Sequence, residues 1–261
     1  MRHMAGKDWA IVTGASGGIG AAFIRALVKR GYPVLAVAHR AEPLARIAAE
    51  VRKGEGLIET LAADLGRPEG VAAVLEKARE LGPVELLVNN AGLSTSGHFL
   101  DQGADREIES IRVNVEALYR LTRGILPSLL DRKRGGILNV ASIVAFQAIP
   151  YWTTYAATKA FVLAFGEGLA YELRKTGVRV VTVCPGFTKT GLYTESGVPG
   201  LAGRVLPFAT PEEVVRVALA ALDSGTVVRV VGLTNRFLRI ASALTPRPVL
   251  RWVMGKLFAP T

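Results

Sequence analysis

The 261-residue sequence is poor in cysteine, in long apolar runs and, near its end, in acidic residues. Cys184 is the single cysteine, which excludes a disulfide scaffold. The longest uncharged run, between Arg134 and Lys159, is broken by polar residues and a proline, so no transmembrane helix is expected. No apolar core of a secretory signal follows Met1, and the sequence therefore predicts a cytoplasmic protein.

The composition is that of a folded domain with an excess of positive charge. Half of the residues are hydrophobic and 21% are charged, which excludes intrinsic disorder. The length predicts a single domain over residues 1–261. The formal net charge is +10, and no acidic residue follows Asp223. Six of the basic residues lie in that last segment: Arg229, Arg236, Arg239, Arg247, Arg251 and Lys256.

Short apolar runs alternate along the chain with longer segments of helical period. The runs are continuously apolar, which is typical of strands buried on both faces of a parallel sheet. The pattern therefore predicts a doubly wound, mostly parallel, seven-stranded α/β sheet with helices on both faces. The expected strands are Trp9–Thr13, Pro33–Ala38, Leu57–Ala62, Val84–Val88, Gly136–Ala141, Val178–Val183 and Val227–Val231.

A glycine-rich turn joins the first strand to the first helix. Glycines let the backbone approach a ligand closely, and the helix N-terminus offers free N–H groups to a pyrophosphate. The position of the turn, at the start of a βαβ unit, favours dinucleotide binding over an ordinary tight turn. The residues expected to contact the phosphates are Gly14, Ser16, Gly17, Gly18, Ile19 and Gly20.

The end of the second strand indicates which dinucleotide is preferred. NAD-binding folds place an acidic residue there to hold the ribose 2′-hydroxyl, whereas this chain has His39 and Arg40. Because arginine suits a 2′-phosphate, we expect NADP(H) in preference to NAD(H). The alternative is that Arg40 is an ordinary solvated charge.

Several motifs, taken together, resemble the short-chain dehydrogenase/reductases from about Trp9 to Val231. They are the Thr-Gly-x-x-x-Gly-x-Gly turn, an Asn-Asn-Ala-Gly segment, and Ser142 followed by Tyr155-x-x-x-Lys159. The resemblance implies a Rossmann-type fold and a nicotinamide cofactor, with no metal. It also implies that the cofactor is bound by Tyr155 and Lys159 and by Asp64, Leu65, Asn90, Ala91, Gly92, Pro185, Gly186 and Thr188.

The resemblance further implies a catalytic tetrad of Asn114, Ser142, Tyr155 and Lys159. Hydride delivery to a carbonyl builds negative charge on oxygen, where a proton must arrive. Tyr155 would give that proton, and the Lys159 ammonium would lower the pKa of Tyr155 and hold the nicotinamide ribose. Ser142 would polarise the substrate oxygen, and Asn114 would hold a water of the proton path.

The resemblance implies an NADP(H)-dependent oxidoreductase that transfers a hydride between the nicotinamide and a carbonyl or alcohol substrate. A substrate loop is expected over residues 186–210, and the substrate is expected to be an apolar ketone, aldehyde or 3-oxoacyl compound. The alternatives are an NAD-dependent alcohol dehydrogenase and a non-catalytic dinucleotide-binding sensor or scaffold. The family commonly assembles through its long middle helices, so a homodimer or homotetramer is expected.

The C-terminal tail, residues 233–261, is basic and apolar. Leu250, Val253 and Leu257 fall on one helical face, behind a start marked by Pro246 and Pro248. The favoured interpretation is that this helix packs on the body or at a subunit interface. The alternatives are a peripheral contact with anionic lipid and a basic rim that attracts an anionic substrate. Nucleic acid is not expected, since no nucleic-acid-binding motif is present.

Overall fold

The computed structural model describes residues 8–190 and 208–260. Seven strands form one sheet in the order β3-β2-β1-β4-β5-β6-β7, and every neighbouring pair is parallel. The predicted doubly wound sheet is therefore confirmed. The strands are β1 Trp9–Thr13, β2 Val34–Ala38, β3 Ile58–Ala62, β4 Val84–Asn89, β5 Gly136–Val140, β6 Arg179–Cys184 and β7 Val228–Val230.

Helices follow the strands in alternation. A π-helical turn, Arg112–Ala117, separates α4 from α5, and a 3-10 helix, Ile143–Phe146, follows β5. The α-helices of the described part are α1 Gly18–Lys29, α2 Ala41–Lys53, α3 Pro68–Leu81, α4 Ala104–Ile111, α5 Leu118–Asp131, α6 Thr153–Leu173, α7 Pro211–Ser224, α8 Leu233–Leu244 and α9 Arg247–Phe258.

The sheet separates two apolar cores. Because neighbouring strand residues point to opposite faces, Val12 belongs to one core and Ile11 to the other. The first core is filled by buried side chains of α1, α2 and α7, among them Phe23, Leu44 and Val214. The second is filled by buried side chains of α3, α5 and α6, among them Val74, Leu121 and Leu173.

The strand order creates a crevice at the carboxyl ends of the central strands β1 and β4. The connection after β1 leads to β2 on one side, whereas β4, the other neighbour of β1, leads on to β5. Connections that diverge in this way leave an opening beyond the carboxyl ends of the strands, which is where doubly wound folds bind ligands.

Three helical features differ from the sequence prediction. The sequence pattern predicts one long helical stretch from about Asp105 to Leu130, whereas the structure interrupts it with the π-helical turn, which contains Asn114. The tail forms two helices, and α8 was not predicted. Val253, expected on the packed face of the tail helix, is 39% exposed.

Within the described residues, no helix has the length and apolarity required to cross a bilayer.

Candidate active site

A cleft of about 680 Å³ opens at the carboxyl ends of the strands, in the crevice described above. Of the predicted cofactor residues, all except Gly20 line it, and of the predicted catalytic residues Ser142, Tyr155 and Lys159 line it. Its walls also include residues that the sequence did not single out, among them Leu93, Arg106, Glu109, Val113, Val140 and Thr190.

The glycine turn exposes the start of α1 to this cleft. Gly14 and Gly18 have φ values of 63° and 52°, a region that side chains disfavour. A Cβ on Gly14 would lie 2.8 Å from Ala91 Cα, whereas the space beside Gly17 is open. No side chain caps α1, so its first N–H groups remain available to a ligand. This cradle fits the pyrophosphate of a dinucleotide.

Gly20 has a different place from the one expected. It is buried in the first turn of α1, and a Cβ there would overlap the carbonyl oxygen of Gly14. Gly20 therefore lets the helix pack closely on the turn.

Thr13 and Asn90 fasten the glycine turn to the end of β4. The Thr13 hydroxyl donates to the Val88 carbonyl at 3.2 Å and accepts from the N–H groups of Asn90 and Ala91, both at 3.0 Å. The Asn90 amide donates to the carbonyl oxygens of Thr13 at 2.9 Å and Gly14 at 3.1 Å. These bonds hold two adjacent walls of the cleft in register.

The polar positions after β2 and after β3 differ in charge. His39 and Arg40 are exposed and line the cleft, with no carboxylate on the residues between β2 and α2. The Asp64 carboxylate has two contacts in its own loop. Its Oδ1 accepts from the Gly66 N–H at 2.9 Å, and its Oδ2 lies 3.3 Å from Arg67 Nε.

Lys159 is a buried cation on α6. Only 5% of the residue is exposed, and its Nζ donates to the carbonyl oxygen of Val140 at 2.9 Å. Burial lowers the pKa of Lys159 from 10.5 to about 8. The Nζ atom lies 5.8 Å from the centre of the Tyr155 ring, one helical turn earlier on the same face.

Ser142 lies two residues after the end of β5 and is buried beside the cleft. Its Oγ accepts from the Val144 N–H at 3.3 Å, which caps the 3-10 helix and fixes the hydroxyl. The hydroxyl can still donate its proton to another acceptor. Strand β5 and helix α6 thus bring Ser142, Tyr155 and Lys159 to one wall.

Asn114 is buried in the π-helical turn and does not line the cleft. Its Nδ2 donates to the Leu93 carbonyl and to Thr158 Oγ1, both at 2.9 Å, and its Oδ1 accepts from the Leu93 N–H at 2.8 Å. These bonds use both amide hydrogens, so the side chain positions Leu93 and can hold a water only as an acceptor. A Cβ on Gly92 would lie 3.3 Å from both Asn114 Oδ1 and Lys159 Nζ, so the glycine keeps the space between them open.

An aromatic cluster adjoins Tyr155. The Trp152 ring lies 5.3 Å from the Tyr155 ring, 6.1 Å from Phe187 and 5.5 Å from Phe258, measured between ring centres. Phe208 extends the cluster, 5.6 Å from Phe187. The cluster joins α6, the segment after β6 and the end of α9, so no single stretch of sequence signalled it.

The family model for short chain dehydrogenases matches residues 8–197. The chain belongs to this family. It is 34% identical over 229 residues to an uncharacterized oxidoreductase of Staphylococcus saprophyticus, covering 87% of this chain and 96% of that one. It is 33% identical over 254 residues to a very-long-chain 3-oxoacyl-CoA reductase of Anas platyrhynchos, covering 95% and 75%.

A solved structure of the family has the same architecture. It is a short-chain dehydrogenase from Sphingobium yanoikuyae in complex with NADPH, with a TM-score of 0.82 and 32% identity. The similarity covers 91% of this chain and 93% of that one. As a short-chain dehydrogenase, this chain is an oxidoreductase that uses a nicotinamide dinucleotide on a small CH–OH or C=O substrate.

Proposed function

We propose that this short-chain dehydrogenase is an NADP(H)-dependent reductase of an apolar carbonyl compound. One observation carries the proposal: a single cleft joins the uncapped start of α1 to Ser142, Tyr155 and Lys159. The phosphates would lie on the glycine turn, and His39 and Arg40 would face the 2′-phosphate. The bound cofactor supplies the hydride.

The chain's own residues would handle the proton. The Ser142 hydroxyl donates a hydrogen bond to the substrate oxygen and polarises the carbonyl. The Tyr155 hydroxyl then transfers its proton to that oxygen, leaving a tyrosinate. The buried Lys159 cation stabilises that anion, because an opposite charge at this range favours the ionised form. Asn114 keeps Leu93 in place and offers its remaining acceptor sites to the water that returns the proton.

The aromatic cluster supports an apolar substrate. Trp152 and Phe187 are almost fully buried beside Tyr155, and they pack there with other apolar side chains such as Ile149. The duck relative is named a reductase of very-long-chain 3-oxoacyl-CoA, which agrees with a ketone on a long apolar chain. The expected substrate loop, residues 186–210, lies largely outside the described residues, and its role remains part of this proposal.

Cofactor titration tests the proposal. NADPH and NADH are titrated against the protein, with quenching of tryptophan fluorescence as the readout, since Trp152 lies next to Tyr155. We expect tighter binding of NADPH, and an Arg40→Asp variant is expected to lose at least about tenfold in NADPH affinity. Arg79→Asp, at an exposed position of α3, is the matched control.

Each other outcome contradicts a defined part of the proposal. Equal or tighter binding of NADH would favour an NAD-dependent alcohol dehydrogenase. Binding of NADPH without turnover of any apolar ketone or aldehyde would favour a sensor or scaffold.

We also propose that the protein is a homodimer or homotetramer assembled through its middle helices. Large apolar side chains are exposed along α4, α5 and α6. Among them, Phe161 stacks on Phe165 with 5.7 Å between ring centres, and Tyr119 packs on Phe165 with 6.1 Å between ring centres. The same surface carries charges of both signs, such as Arg120 and Glu116. A mixed surface of this kind can complement itself across a two-fold axis. Its exposed apolar residues are Ile108, Ile111, Tyr119, Phe161 and Tyr171.

A further inference from the structure

Helix α8 turns its apolar side outward. Four large apolar residues recur at intervals of four, three and four, so they form one stripe along the helix. The exposed fractions are 79% for Leu233, 70% for Phe237, 60% for Ile240 and 80% for Leu244. A helix of a globular domain normally directs such a stripe into the core.

The opposite side of α8 is polar and is the side that anchors the helix. Asn235 is buried and donates to the Val231 carbonyl at 2.8 Å. The guanidinium of Arg239 lies over the Phe146 ring, 4.8 Å from its centre. Because these polar contacts fix the orientation of the helix, the outward direction of the apolar stripe follows from the fold.

Helix α9 begins three residues after the end of α8 and is amphipathic. Phe258 is buried, and Met254 and Leu257 pack with it against the aromatic cluster. Trp252 and Val249 remain 66% and 51% exposed. Tryptophan is enriched where an apolar phase meets water, because its ring is apolar and its N–H is polar.

The charge of this segment is of one sign. Arg247, Arg251 and Lys256 are exposed on α9, and no ion pair within the described residues involves them. No acidic residue lies between Ser224 and Thr261. The segment therefore presents apolar side chains within a positively charged surface.

We propose that α8 and α9 form a docking surface for an anionic lipid bilayer. The apolar stripe and Trp252 would enter the boundary between headgroups and acyl chains, and the basic residues would attract anionic headgroups. Each helix has 12 residues, about 18 Å at 1.5 Å per residue, so both would lie along the surface. The contact is peripheral.

Charge also distinguishes the surface of α8 and α9 from the surface of the middle helices α4, α5 and α6, which carries both signs. A second copy docked symmetrically on α8 and α9 would place like charges opposite each other, since both copies contribute only cations. An anionic bilayer meets the same surface with complementary charge.

The docking surface leads to the active site. Phe258, at the end of α9, packs on Trp152, which packs on Tyr155. If the proposed function is correct, this arrangement brings the entrance for an apolar substrate close to the phase in which that substrate dissolves.

Vesicle co-sedimentation of the full chain tests the docking surface without any measurement of activity. Neutral phosphatidylcholine vesicles are compared with vesicles containing about one-third phosphatidylglycerol. We expect binding to the anionic vesicles only, and release at ~1 M salt, where the Debye length is about 3 Å. The triple change Arg247→Glu, Arg251→Glu and Lys256→Glu should reduce binding on the order of a hundredfold. Lys29→Glu, Lys53→Glu and Arg79→Glu change the net charge equally elsewhere and should retain most of the binding.

A second pair of variants tests the apolar stripe. Phe237→Ser with Ile240→Ser should weaken binding at least about tenfold, because both side chains lose their apolar burial. Phe99→Ser with Leu100→Ser, at two exposed positions 65% and 91% accessible, is the control. Circular dichroism and NADPH titration verify that each variant folds.

Three results would overturn the proposal. They are equal binding to neutral vesicles, no binding to either kind of vesicle, and self-association that Phe237→Ser abolishes without any effect on vesicle binding.

A second measurement compares turnover of a long-chain ketone with that of a short soluble ketone. Stimulation by anionic vesicles of the first alone is expected. If vesicles bind but neither ketone is reduced, the docking surface stands and the proposed function fails.

Discussion

Lys159 donates a hydrogen bond from Nζ to the main-chain carbonyl of Val140, 2.9 Å away, at the last residue of β5. Ser142 follows two residues later, so one strand end holds both the ammonium of the lysine and the hydroxyl of the serine. The bond also fixes a charge that burial disfavours. Holding the Lys159 cation at this buried position therefore lowers the stability of the folded protein.

Replacement of Lys159 by methionine is expected to stabilise the protein and abolish its activity. Burial lowers the pKa of Lys159 to about 8, which corresponds to a cost on the order of 3 kcal/mol for the charged form at pH 7. Loss of the bond to Val140 offsets about 1 kcal/mol of the gain. We expect the Tm of the cofactor-free variant to rise by about 5 °C at pH 7.

The pH dependence provides the check on this explanation. The unfolded chain binds more protons than the folded one between pH 8 and 10.5, so wild-type stability gains from this group as the pH rises through that window. The difference in Tm between wild type and Lys159→Met should therefore shrink from pH 7 to pH 10. A difference that stays constant would mean that packing, and not charge, causes the stabilisation.

Tyr155→Phe is expected to lower kcat by at least about a hundredfold, because it removes the proton donor from the reaction. Cofactor affinity should fall far less than kcat, since the Tyr155 ring, Lys159 and the glycine turn all remain. The same helix offers Tyr171→Phe as a control, at a position 68% exposed. Full activity of Tyr155→Phe on every substrate of the wild type would make the proposed mechanism wrong.

Gly20→Ala is expected to destabilise the glycine turn and weaken cofactor binding. Its Cβ would overlap the Gly14 carbonyl oxygen, so the helix and the turn would have to separate. We expect a loss of about 1–3 kcal/mol in the free energy of unfolding, measured in urea. Gly168→Ala, where a Cβ meets open space on α6, should instead gain about 0.5–1 kcal/mol.

Phe161→Glu is expected to shift the assembly of the protein toward the monomer. The side chain is 38% exposed and stacks on Phe165, so a carboxylate there would be buried in a contact made by the middle helices. Sedimentation velocity over a range of concentrations measures the effect. Phe237→Ser, on α8, should leave the oligomeric state unchanged, and the reverse result would exchange the roles of the two surfaces.

The sheet could be predicted because each strand carries its own signal. Continuous apolar runs such as Val34–Ala38 can be buried only between two layers of helices, and the alternation with helical segments then determines the parallel order. The residues of the cleft follow the strand ends, so their convergence was also accessible from sequence.

What the sequence did not reveal depends on contacts between distant segments. Phe258 meets Trp152 only because α9 returns to the start of α6. The π-helical turn commits the Asn114 side chain to Leu93, which no spacing rule indicates. Helix α8 was missed although its apolar stripe is regular, and the outward direction of that stripe comes from Asn235 and Arg239 on its other side.

The bonds between Thr13 and Asn90 join two halves of the sheet that are each contiguous in sequence. Strands β1 to β3 come from residues 9–62 and β4 to β7 from residues 84–230, and the two sets of strands are hydrogen-bonded to each other along the β1–β4 pair. A dinucleotide across this seam would contact both halves and act as a clasp against their separation. At a hundredfold excess over its Kd, such a ligand adds about 2.7 kcal/mol to stability, so cofactor supply would govern how long the protein survives as well as how fast it works.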